Sequence, residues 1–117
     1  ADMMIHGNHC DMFNLKIGKH GGIFETKKIV EIAEKNNIQM QIGGFIETKI
    51  IFTVNCHIGH SSNLVKFFDC DSPLFHEKNP ITGGLEYKDD WELSLPNLNG
   101  IGVDIDENYL RNFSRII

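Results

Sequence analysis

FNLKIGKHGG, residues 13–22, is the stretch that sets the fold. Phe13, Leu15 and Ile17 alternate with Asn14 and Lys16, so a strand placed here has one apolar and one polar face. Gly18, Gly21 and Gly22 then break the pattern and end the strand. Lys16 needs explaining, because an ammonium on a strand is costly to bury without a partner. Either this is an edge strand with Lys16 in water, or Lys16 points into a pocket where its proton is used.

Working outward, residues 1–9 read as the end of a helix and a Gly-containing loop, and residues 10–17 as the first strand. Residues 23–36 carry Ile29, Val30, Ile32 and Ala33 at helical spacing, and the Asn36–Asn37 pair closes that helix. A second strand is predicted over 38–42, a Gly43–Gly44 turn next, an apolar helix over 47–59, and a third strand over 64–70 ending in DCDSP. Strand, helix, strand, helix, strand with short connections predicts an α/β architecture, a parallel sheet with crossover helices. Residues 73–96 differ, with scattered Pro, Gly and Asp and one hairpin pairing 85–88 with 92–95. NGIGVDID gives a short extended piece, and residues 107–113 a last half-helix. There is no repeat and no low-complexity tract.

Composition narrows the function classes. An apolar share of 41% with 23% charged residues is that of a globular protein. No window approaches the roughly 18 unbroken apolar residues of a membrane span, and ADMMIHGNHCD lacks the features of a signal peptide. A net charge of -5 without a basic stripe argues against nucleic acid as a partner. Cys10, Cys56 and Cys70 are an odd, widely spaced set, expected as reduced thiols in the cytoplasm rather than as a disulfide framework. Three parallel strands normally need cover on both faces. Either the chain oligomerises or it belongs to something larger, and the abrupt start ADMMIHG favours the second.

NLKIGKHGGI, IGGFIETKI, FFDCDSPLF and NGIGVDID, in that order and at these separations, resemble the barrel domain of the enolase superfamily. The resemblance runs from about Asp11 to Asp106 and is closest to the dipeptide (L-Ala-D/L-Glu) epimerases of the muconate-lactonizing subgroup. It implies the C-terminal portion of a (β/α) TIM-like barrel. Residues 1–72 would hold the last three βα units, strands six to eight, and residues 73–117 the segment returning to the capping domain.

The resemblance implies proton abstraction from the carbon next to a carboxylate, with Mg²⁺ stabilising the enediolate and two lysines facing each other across that carbon. Lys16 matches one of those lysines and is the expected catalytic residue; Lys19 is expected to be an exposed loop lysine. Asp69 and Asp71, two apart on a strand, are expected on one face, where the resemblance has them pair with the α-ammonium of a dipeptide. Gly44, Phe45 and Ile46 are expected to line the substrate pocket, where Gly44–Phe45 departs from the family's commoner Gly-Ser-Met or Gly-Cys-Met and reshapes that pocket. Backbone N–H groups around Phe45–Glu47 are expected to open the helix, with Glu47 complementing its dipole.

No metal ligand is expected within the chain, since the resemblance places the Mg²⁺ ligands and the second lysine on upstream strands. It implies a small dipeptide as partner and a homo-oligomer for the full-length protein, with no nucleic acid and no membrane expected. Two alternatives stay open. One is a muconate cycloisomerase or o-succinylbenzoate synthase, against which the Asp-x-Asp speaks because those substrates lack an α-ammonium. The other is a non-catalytic zinc- or ligand-binding module using His57, His60 and Cys56, with His6, His9 and Cys10 reaching them only by long-range folding. GKHGG lacks the spacing of a phosphate loop.

Overall fold

The computed structural model describes residues 1–112. Its first part runs α1 (Asp2–His6), β1 (Met12–Leu15), α2 (Ile17–His20), α3 (Ile23–Lys35), β2 (Gln39–Ile42), α4 (Lys49–His60) and β3 (Val65–Phe68). The three strands form one sheet in the order β1-β2-β3 with both pairings parallel, as the alternation of strand and helix predicts. Leu15 lies beside Ile42, and Ile42 beside Phe68. The register shifts between Met40 and Gln41, so that Lys66 is an extra residue in β3.

Each strand is shorter than its apolar run suggests, for a local reason in each case. The strand expected over 10–17 is confined to Met12–Leu15. Lys16 is still extended, but its carbonyl accepts from Lys19 N and His20 N, so the chain turns directly into α2 rather than breaking at glycine. The helix expected from residue 47 begins at Lys49 instead. Glu47 N donates to Phe45 O in a turn, so Glu47 is not in the first turn of α4 and does not complement its dipole. The strand expected to residue 70 ends at Phe68, and Asp71 (φ -90°, ψ -28°) leads into a 3-10 turn, Ser72–Phe75.

The helices cover one face of the sheet. Leu15, Met40, Ile42 and Val65 pack there against Val30 and Ala33 of α3 and Val54 and Ile58 of α4. The opposite face carries Asn14, Gln41 and Phe67 in one row, and Phe67 remains 57% exposed. Parallel sheets are normally covered on both faces or closed into barrels, and this one is covered on one.

The far side of α4 builds a second core. Phe52 and Cys56 pack with Cys70 and Leu85, and with the partly buried Tyr87, Leu93 and Leu95. Those residues come from a segment of short strands: β4 (Ile81–Gly83), β5 (Glu86–Tyr87), β6 (Leu93–Ser94) and β7 (Val103–Ile105). The hairpin expected between 85–88 and 92–95 is β5–β6, with Tyr87 opposite Leu93. NGIGVDID contributes β7, which pairs antiparallel with β4. α5 (Glu107–Arg111) is capped by the Asp106 carboxylate, which accepts from Asn108 N and Tyr109 N. Residue 113, expected to end it, lies outside the described residues. No helix among the described residues is long and apolar enough to cross a membrane.

One hydrogen bond ties the two cores together. The buried Thr53 hydroxyl donates to Lys49 O at 2.8 Å and accepts from Leu85 N at 2.9 Å. Thr53→Val keeps the shape but leaves the Leu85 N–H buried and unpaired, a loss of about 1–3 kcal/mol. The expected result is a lower urea midpoint with an unchanged slope, measured by equilibrium unfolding.

Candidate functional site

The carboxyl ends of β1, β2 and β3 bring three loops side by side, and the site residues sit on them. The sheet bonding runs slightly past the strands: Gly43 N donates to Leu15 O and Asp69 N to Ile42 O, each at 2.8 Å. Lys16, Gly43 and Asp69 are therefore held in one row just beyond the strand ends. In parallel α/β structures this is the end where loops gather chemistry.

Lys16 is half-buried, and its ammonium donates to Gly44 O at 2.7 Å. The same ammonium lies 4.5 Å from the centre of the Phe45 ring. Lys16 thus points into the loop that follows β2, not out to water from an edge. Lys19, on α2, is exposed as expected, yet its ammonium lies 4.6 Å from the same ring. Phe45 therefore carries two cations, an attraction worth about 0.5–1 kcal/mol for each at exposed sites.

Across the loop, the Asp69 carboxylate accepts from Gly44 N in a long contact of 3.5 Å. Gly44 is thus addressed by an ammonium through its carbonyl and by a carboxylate through its N–H. The buried Ser72 hydroxyl donates to Phe45 O and, at 3.5 Å, to the Asp71 carboxylate. Glu47 accepts from Phe45 N at 3.4 Å, so the N–H groups expected to open a helix here are turned into the loop's own bonds. Ile46 is almost fully exposed, and Phe45 is 46% exposed.

Asp69 and Asp71 lie past the end of β3, so the strand period that would put them on one face does not extend to them, and the backbone at Asp71 is helical. Asp69 is half-buried beside Gly44, whereas Asp71 is exposed. Between them Cys70 is buried, and Tyr87 donates its phenol O–H to Cys70 O. Burial, aided by the charges of Cys70, Cys56 and Asp71, pushes the Tyr87 phenol up, which keeps it a donor.

Ser72, Tyr87 and the cationic side of Phe45 were not apparent from the sequence. Neither Ser72 nor Tyr87 stands in a motif or spacing that marks it. Gly44 is also required by the core: a Cβ on it would lie 2.3 Å from Cζ of Phe52, a fully buried ring of α4.

Among the described residues no three His, Cys, Asp or Glu side chains gather as a metal ion requires. These residues therefore do not fit a resident Mg²⁺, nor do they assemble zinc ligands. Cys56 is turned into the second core, and the His60 ring packs on Phe68 with centroids 5.6 Å apart.

Over residues 1–109 the chain matches the enolase C-terminal domain-like family, and it belongs to that family. The D-Ala-D/L-Ala epimerase of Cytophaga hutchinsonii is 33% identical over 116 residues, which cover 99% of this chain and 32% of that protein. Muconate cycloisomerase 1-1 of Acinetobacter lwoffii is 29% identical over 109 residues, 92% of this chain and 28% of that protein. The crystal structure of the dipeptide epimerase from Cytophaga hutchinsonii, complexed with Mg and the dipeptide D-Ala-L-Val, is similar with a TM-score of 0.89 at 33% identity. That match covers 94% of this chain and 30% of the epimerase chain. The chain spans about a third of the length of the relatives it matches, and those relatives are isomerases.

The packing of Gly44 is testable. Gly44→Ala drives a methyl into the Phe52 ring and is expected to cost about 1–3 kcal/mol. Phe52→Leu in the same chain removes the clash, so the two substitutions should be coupled by more than about 0.5 kcal/mol in a double-mutant cycle of urea unfolding.

Proposed function

We propose that this member of the enolase C-terminal domain-like family supplies one wall of the active site of a dipeptide epimerase, on strands six to eight of a (β/α) barrel. The observation that carries the reading is the convergence of Lys16 and Asp69 on Gly44 at the carboxyl end of the parallel sheet. A base and a carboxylate one residue apart suit a substrate with an acidic C–H beside a free ammonium.

On this reading Lys16 accepts or returns the proton on the carbon next to the substrate carboxylate. Its bond to Gly44 O gives the ammonium a resting partner, and a neutral amine releases that carbonyl. General acid–base transfer of this kind contributes about a hundredfold to ten-thousandfold. Asp69, with Asp71 nearer the mouth, holds the α-ammonium by charge-assisted contacts. Gly44, Phe45 and Ile46 line the side-chain pocket, where the Phe45 ring presents an apolar wall. The Mg²⁺ present with the Cytophaga hutchinsonii epimerase would take its ligands, and the reaction its second lysine, from outside these 117 residues. The reduced cysteines fit a cytoplasmic setting, and the bare sheet face fits burial in a complete barrel and its oligomer.

A cycloisomerase is the second reading, favoured by the Acinetobacter lwoffii relative. Asp69 speaks against it: a substrate with only carboxylates would meet this carboxylate as a like charge.

Two measurements on the complete enzyme separate these readings. Lys16→Ala should abolish exchange of the α-proton with solvent deuterium, followed by NMR, for at least one epimer of L-Ala-Glu. Normal exchange from both epimers would remove Lys16 as the base. Asp69→Asn with Asp71→Asn should lower kcat/KM roughly a hundredfold for free-amine dipeptides and little for N-acyl amino acids. Equal losses on both substrates would overturn the ammonium assignment.

A further inference from the structure

Cys56 and Cys70 lie outside the proposed chemistry, yet they are the most reactive pair of groups in the second core. Cys56 is on α4 and Cys70 on the loop after β3, and their sulfurs are 3.5 Å apart. Both are buried, at 1% and 6% exposure, among Phe52 and Leu85. Both are free thiols. We propose that Cys56 and Cys70 form a peroxide-sensitive dithiol, a reversible disulfide site joining α4 to the loop that carries Asp69 and Asp71.

The two thiols differ in their surroundings. The hydrogen bond between the sulfurs pulls the Cys56 thiol down, against the effect of burial. The same bond, burial and the charges of Cys56, Asp69 and Asp71 hold the Cys70 thiol up. This favours Cys56 as the sulfur that reacts first and Cys70 as the one that resolves, an order that trapping of the sulfenic acid tests. The pair is reached from two cavities, one of about 150 Å³ bounded by Cys56, His60 and Phe68 and one of about 180 Å³ bounded by Cys70, Asp71 and Tyr87. A water molecule's share of liquid volume is about 30 Å³, so hydrogen peroxide fits.

In the first step Cys56 thiolate attacks one peroxide oxygen, the O–O bond breaks, and hydroxide takes up a proton to leave as water. Cys56 is then a sulfenic acid. In the second step the Cys70 sulfur attacks Cys56, the S–O bond breaks, and the departing hydroxide leaves as water with the Cys70 proton. The two thiols lose two electrons and two protons, and one peroxide is reduced to two waters. The cross-link needs only a small approach of sulfurs already in contact. Cys70 lies between the two carboxylates, so the bond fixes the loop that displays them.

The test uses the complete enzyme with Cys10→Ser, which leaves Cys56 and Cys70 as the remaining thiols of these 117 residues. Hydrogen peroxide should produce a monomer lighter by two hydrogens, with a peptide linking Cys56 to Cys70, reversed by dithiothreitol. Formation should be more than about tenfold faster in the folded chain than in urea, because folding holds the sulfurs together. In Cys70→Ser, dimedone should trap a sulfenic acid at Cys56, while in Cys56→Ser, Cys70 should stay unlabelled. Oxygen adducts without a cross-link, cross-links only between chains, no reaction, or equal rates folded and unfolded would each overturn the proposal. Mapping of the unmutated chain by the same mass readout covers the case in which a variant fails to fold. None of these readouts depends on epimerase activity.

Discussion

The burial of α4 on nearly all its faces is the constraint on which the structure rests. A surface helix buries one stripe, but here Phe52, Thr53, Val54, Asn55 and Cys56 are all buried in succession. Four of these five each fix a different neighbour. Phe52 sets the depth of the Gly44 loop, Thr53 holds Leu85, Val54 packs on the sheet, and Cys56 meets Cys70. Fully burying one such apolar side chain contributes about 1.5–3 kcal/mol, so a helix with two buried faces secures both the sheet and the segment behind it. The functional loops hang from the same helix and inherit its rigidity.

That rigidity explains how a half-exposed loop holds opposite charges close together. Lys16 comes from the turn after β1 and Asp69 from the end of β3, and each reaches a different atom of the Gly44 residue between them. No ion pair joins the two groups among the described residues, so on the proposed function both would be available to a ligand that carries both charges. Were they paired directly, a ligand would first have to separate them. The peptide between them keeps the two charges apart while holding both in place.

The repeating pattern of the chain was legible, and its interruptions were not. Period-two alternation at residues 13–17 and helical spacing at 29–33 are local properties, and they predicted the three parallel strands and two crossover helices. The ends of those elements depend on turns, such as Lys16 O accepting from Lys19 N, that no residue type announces. Lys16 could be singled out because a lysine on an alternating strand is a local anomaly. The pairing of β4 with β7 joins residues twenty or more apart, and the Cys56–Cys70 contact spans two elements, so both were invisible to local patterns.

The different exposure of Asp69 and Asp71 follows from what comes after them. Pro73 fixes its own φ within the 3-10 turn Ser72–Phe75, and the backbone is already helical at Asp71. The turn sends the Ser72 hydroxyl to Phe45 O, which closes the loop from the side opposite Lys16. It also leaves Asp71 exposed while Asp69 stays against Gly44. An ammonium bound here would therefore meet the two carboxylates unequally. The half-buried one, less screened by water, sets the strength of the contact, and the exposed one at the rim attracts the cation before it is bound.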